Sequence, residues 1–87
     1  MKNMFSISGN ICGERIKLAR ALHKPPLSQK GLAIKINFLG LSNMTKNIIS
    51  RIENNERHVI DAELKAISQA LGVSMEWLLG VTDNLDC

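Results

Sequence analysis

Apolar and polar positions in this chain recur every three to four residues, and no stretch alternates them with the β-branched enrichment of a strand. The pattern predicts an all-α fold. From Gly13 to His23, Ile16, Ala19 and Leu22 share one face, with Lys17, Arg20 and Lys24 among the polar positions. Pro25 and Pro26 end this helix, because proline lacks the amide proton and restricts the residue before it. Ser28 is the expected N-cap of a second helix, with Leu32, Ala33, Ile36 and Leu39 as its buried stripe and Gly40 closing it. Thr45 caps a third helix running through Asn54, and Asn55 suits the left-handed conformation of a C-terminus. Asp61 caps a fourth through Leu71, which turns Leu64, Ile67, Ala70 and Leu71 inward before Gly72. Ser74 caps a short fifth helix, Met75–Leu79.

The third helix is the informative one. At about 100° per residue, Lys46, Asn47, Ser50, Arg51 and Asn54 fill one continuous polar face, opposite Ile48, Ile49 and Ile52. A merely solvated face would be richer in Glu and Lys; Asn and Ser weaken a helix, so their presence points to a use.

Composition then limits what that use is. At 87 residues the chain holds one core, and its mean hydropathy of zero with 45% apolar residues suits a folded domain. Residues 1–57 carry six Lys and four Arg against three Glu, whereas residues 58–87 carry one Lys against five acids. The first two-thirds therefore suit a polyanion. Phe5, Phe38 and Trp77 are the only aromatic residues, too few for a platform that stacks unpaired bases, so duplex DNA is favoured over single strands. No apolar run reaches the ~18 residues of a membrane span and no signal-peptide stretch opens the chain, which predicts a cytoplasmic protein. Cys12 and Cys87 stand alone, and His23 and His58 lack ligand spacing, so no disulfide, metal or cofactor is expected. With no glycine-rich phosphate loop, and Asp83 and Asp86 in a frayed tail, an enzyme is not expected.

Specific blocks then appear in order: Gly13-Glu-Arg-Ile-Lys17, Leu27-Ser-Gln29 with Leu32-Ala33, Ile49-Ser-Arg-Ile-Glu53-Asn54, Ala70-Leu-Gly-Val-Ser74, and Trp77-Leu-Leu79-Gly80. Over roughly residues 11–80 the sequence resembles the phage repressor and Cro-like, or XRE-type, family of DNA-binding regulators. The resemblance implies a compact five-helix bundle containing a helix-turn-helix, with residues 1–10 as a flexible lead-in and 81–87 as a tail. It departs from the commonest spacing by about six extra residues between Ala33 and Ile49, in the segment Asn37–Asn43, and is similar to a variant with a longer second helix. That segment is expected to prolong the second helix or lengthen the turn, with Phe38 and Leu39 covering the start of the third helix.

Position by position, the resemblance implies that Lys46, Asn47, Ser50 and Arg51 read bases. The chemistry agrees, since Lys donates to guanine O6 and N7 and Asn bonds adenine at two atoms. Ile48 could cover a thymine methyl, but its angle beside Ile49 and Ile52 favours core packing. Gln29 is similar to the family's phosphate-contacting glutamine, Ser28 beside it is expected near the same phosphate at the start of the second helix, and Arg15, Asn54 and Arg57 are further phosphate candidates by charge or position. Arg20 and Glu53 match an ion pair tying the first helix to the third. Trp77, Leu78, Leu79 and Val81 are expected at a homodimer interface, the alternative being that Trp77 and Leu78 close the monomer's own core. The function implied is a transcriptional regulator, a repressor acting as a homodimer on a palindromic operator. An antitoxin-like or adaptor protein, using the same fold and the acidic last third to hold a protein partner, is the alternative.

Overall fold

The computed structural model describes residues 12–41 and 43–83; the expected lead-in and the end of the tail lie outside the described residues. Five helices follow one another, α1 (Gly13–Leu22), α2 (Gln29–Phe38), α3 (Lys46–Glu53), α4 (Asp61–Leu71) and α5 (Met75–Leu78), and no strand occurs among the described residues. The fold is all-α, and four of the five helices, α2 to α5, begin where a side chain satisfies a free amide. Ser28 Oγ accepts from the Gly31 amide at 2.9 Å, Thr45 Oγ1 from Ile48 at 3.2 Å and Ser74 Oγ from Trp77 at 3.1 Å, each satisfying an amide that the first turn leaves without a partner. At α4 the N-cap is Ile60 and Asp61 is already helical; the Glu63 carboxylate reaches back to accept from the Ile60 amide at 3.2 Å. The end of α3 is closed by Asn55 at φ 62°, where Glu56 N–H donates to Arg51 C=O and Asn55 N–H to Ile52 C=O.

The helices enclose one core. α3 packs on α2 and α1, and α4 packs on α2, α1 and α5. Ile16, Leu32, Ile36, Ile49, Ile52, Ile67 and Leu78 are fully buried, with Leu27, Leu41, Ile48, Val59 and Leu64 partly buried against them. Three expected core positions lie outside it: Leu22, Leu39 and Phe38 are exposed, Phe38 at 89%. Periodicity shows which side of a helix is apolar but not how far the neighbouring helix extends along it. Met44, which shows no such periodicity, is buried at 5% and fills the place expected for Phe38 before α3.

Close approach at one glycine joins α1 to α3. A Cβ on Gly13 would lie 2.6 Å from the Ile52 carbonyl oxygen and 2.9 Å from that of Glu53, both main-chain atoms that no side-chain rotation relieves. Ala ordinarily stabilises a helix by about 1 kcal/mol relative to Gly. Here Gly13→Ala is expected to reverse that sign and cost about 1–3 kcal/mol by forcing the helices apart. Each kcal/mol lowers the melting temperature by roughly 4–8 °C in a domain of this size, so thermal unfolding checks it. An unchanged or raised melting point would contradict the close packing.

Candidate nucleic-acid interface

α3 presents its polar face outward because its three isoleucines are drawn inward. Ile49 and Ile52 are fully buried and Ile48 packs partly against the core. That orientation leaves Lys46, Asn47 and Arg51 exposed and Ser50 half-buried, with Asn54 exposed at the C-cap. The first helical turn therefore carries an ammonium and a carboxamide side by side, and the next turn a hydroxyl and a guanidinium.

A three-residue hydrogen-bonded group fixes this helix against α1 and α2. Glu53 is buried at 7% exposure, yet its carboxylate is fully engaged: Arg20 Nε donates to Oε2 at 2.6 Å, Arg20 Nη2 to Oε1 at 2.9 Å and Gln29 Nε2 to Oε1 at 3.0 Å. Arg20 Nη1 also donates to the Leu27 carbonyl at 3.0 Å, so the same guanidinium ties down the α1–α2 connection. The Glu53 hydrogen bond, aided by its charge and opposed by desolvation, holds the Arg20 guanidinium above its ordinary pKa. Side-chain fork geometry suits such a tie because two parallel bonds fix orientation as well as distance.

The other residues expected near phosphate have partners inside the chain. Gln29 spends its amide on Glu53, and Ser28 spends its hydroxyl on the α2 cap. Arg15 lies over the Trp77 ring at 4.7 Å, and it donates to the Trp77 and Thr82 carbonyls and to Asp83 Oδ1. Arg57 forms two 2.9 Å bonds with the Glu63 carboxylate and one to the His58 carbonyl. These bonds hold the Glu63 carboxyl below the usual carboxylate range, against a smaller desolvation effect. Hence two of the acids in the negatively charged last third have basic partners, Glu63 in a part-buried pair and Asp83 at the exposed surface.

Trp77 and Leu78 do not face outward. At 4% and 0% exposure they close the monomer's core, which corrects the expectation that they meet a second copy. Leu79 and Val81 are exposed, and Met75 joins them as an exposed apolar residue of α5. Burial of Cys12 pushes its thiol pKa up, with a backbone hydrogen bond acting in the opposite sense. Sequence reading missed the Gln29–Glu53 bond and the Arg57–Glu63 pair. A Glu at the third position of α4, after an Ile60 N-cap whose side chain cannot accept a hydrogen bond, was the available signal for the second.

A helix-turn-helix family model matches residues 16–78, from the first fully buried side chain of α1 to the last residue of α5. The chain belongs to the Cro and repressor-like helix-turn-helix family. It is a DNA-binding helix-turn-helix regulator whose partner is double-stranded DNA, from a family generally without catalytic activity. No curated protein and no solved structure matches the chain. Among the described residues of this helix-turn-helix protein no helix is long and apolar enough to cross a membrane, and no group of three or more His, Cys, Asp or Glu could hold a metal ion.

Proposed function

We propose that the protein is a sequence-specific transcriptional repressor that binds a palindromic operator as a homodimer, with α3 in the major groove. The observation that carries this reading is the outward face of α3: Lys46, Asn47 and Arg51 exposed, with Ser50 half-buried, on a helix held by its buried isoleucines. These groups offer donors to guanine and a paired donor and acceptor to adenine. The N-terminus of α2 at Ser28 and Gln29 supplies backbone amides suited to a phosphate, and Asn54 is an exposed candidate for another.

Selection of bound duplexes from a random pool tests this directly. The protein is expected to enrich a two-fold symmetric motif, with the logarithm of affinity falling by roughly 0.9 per phosphate contact for each decade of salt. Asn47→Ala is expected to lose about 1–3 kcal/mol of preference for that motif over shuffled DNA and to keep low-salt binding to both. Unchanged preference in this variant would remove Asn47 from base reading, and failure of the wild type to enrich any motif would overturn sequence specificity.

The homodimer reading is supported by Met75, Leu79 and Val81, apolar residues left exposed at 41%, 38% and 74% near the end of the fold. A self-complementary patch generates the two-fold axis that places two recognition helices roughly 34–36 Å apart. Leu79→Asp is expected to abolish association in sedimentation at micromolar concentration while leaving the helical content intact. A wild-type monomer that binds its palindrome without prior association would refute the preformed dimer.

A further inference from the structure

We infer that Asn37 is a positioning residue that sets the rotation at which α3 presents its first turn. The inference rests on the reading of α3 as the base-reading helix. A helix-turn-helix unit usually joins its helices by about three or four residues, whereas here the connection runs from 39 to 45. It turns through Gly40 at φ 107° and Asn43 at φ 73°, which change the direction of the chain without holding its far end. Something else must determine where α3 begins.

Two anchors act at Met44, the residue before the Thr45 cap. Its side chain is buried, but an unbranched thioether adapts to its surroundings and fixes little about the orientation of its backbone. Asn37, in the last turn of α2, supplies the orientation. Met44 N–H donates to Asn37 Oδ1 at 2.9 Å, and Asn37 Nδ2 donates to the Met44 carbonyl at 2.8 Å. The carboxamide thus engages both main-chain groups of one residue, as a paired strand residue would, and two bonds in one plane restrict rotation as well as distance. Thr45 then caps α3, and Lys46 and Asn47 follow at once. Base recognition tolerates little misplacement, so a tie two residues before Lys46 governs discrimination through the placement of α3.

The side-chain requirements are specific. A donor and an acceptor must lie on one planar group at this reach. Asp retains the acceptor but turns an oxygen toward the Met44 carbonyl; Gln keeps both atoms one methylene farther out. The test uses full-length protein, the duplex enriched by the wild type and a shuffled duplex of the same composition, with hydrogen exchange followed at the Met44 and Ile48 amides. Asn37→Ala and Asn37→Asp are expected to lose about tenfold of the preference for the enriched duplex. Their low-salt affinity for the shuffled duplex should stay within about twofold of the wild type. Exchange should accelerate at Met44 and Ile48 but not in α1 or α4, and Asn37→Gln should recover part of both losses. Exchange accelerated evenly in all helices, or preference unchanged in Asn37→Ala, overturns the positioning role. A wild type that enriches no motif overturns the base-reading of α3 itself. In that case selective acceleration at Met44 and Ile48 still supports Asn37 as the residue that fixes the start of α3, and unchanged exchange refutes it.

Discussion

Glu53→Ala is expected to cost about 3–5 kcal/mol of stability, because it leaves the Arg20 guanidinium and the Gln29 amide without the carboxylate that satisfies them. A domain of this length has roughly 0.05–0.15 kcal/mol per residue in total, so the loss consumes much of its stability. The side chains of Arg20 and Glu53 are only 16% and 2% exposed, which limits how far water replaces the lost partner. Urea unfolding followed by circular dichroism measures the change as a lowered midpoint. Replacing both partners by apolar residues of similar size, Arg20→Met with Glu53→Leu, is expected to restore much of the stability, since a buried ion pair gains little net over good packing. Operator preference should not return with it, because the directional tie between α1, α2 and α3 is gone. A midpoint for Glu53→Ala close to that of the wild type would show that the buried carboxylate is not held as described.

Trp77→Ala is expected to have an effect of the same size, about 3–5 kcal/mol, through loss of a large buried side chain and incomplete collapse of the space it leaves. Trp77 is 4% exposed and lies beneath Arg15, whose guanidinium stacks at 4.7 Å from the ring centroid. The stacking alone contributes about 0.5–1 kcal/mol at such a partly exposed site, so Arg15→Ala should be clearly milder than Trp77→Ala. Thermal unfolding in the two variants and in the gentler Trp77→Phe ranks these contributions. Since Trp77 is the chain's single tryptophan, its fluorescence also follows unfolding in the wild type. If Trp77→Ala instead melted normally and altered only sedimentation, the indole would belong to an intermolecular surface and its place in the core would be wrong.

The sequence by itself determined where most helices begin and end. Ser28, Thr45 and Ser74 cap the helices expected of them, Asn55 adopts the left-handed conformation, and Gly72 at φ 71° closes α4. These features are legible because capping and turn chemistry act between residues three to five apart, within reach of local pattern. The apolar face of α3 was equally readable, and with it the outward direction of Lys46, Asn47, Ser50 and Arg51, since burial of Ile49 and Ile52 dictates the opposite side. Tertiary structure alone decided which apolar residues at the ends of elements are covered. Leu22, Phe38 and Leu39 stay outside, Met44 enters, and Trp77 and Leu78 complete the monomer rather than meet a second copy. The Arg20–Glu53 pair was expected from the family resemblance, but tertiary structure decided the other polar partners, because Arg15 and Asp83, and Gln29 and Glu53, are separated by 68 and 24 positions along the chain. A residue's type states what it can bond, but only the packing of distant helices brings one bonding group within reach of another, and that packing depends on contacts such as the close approach at Gly13, which no local pattern encodes.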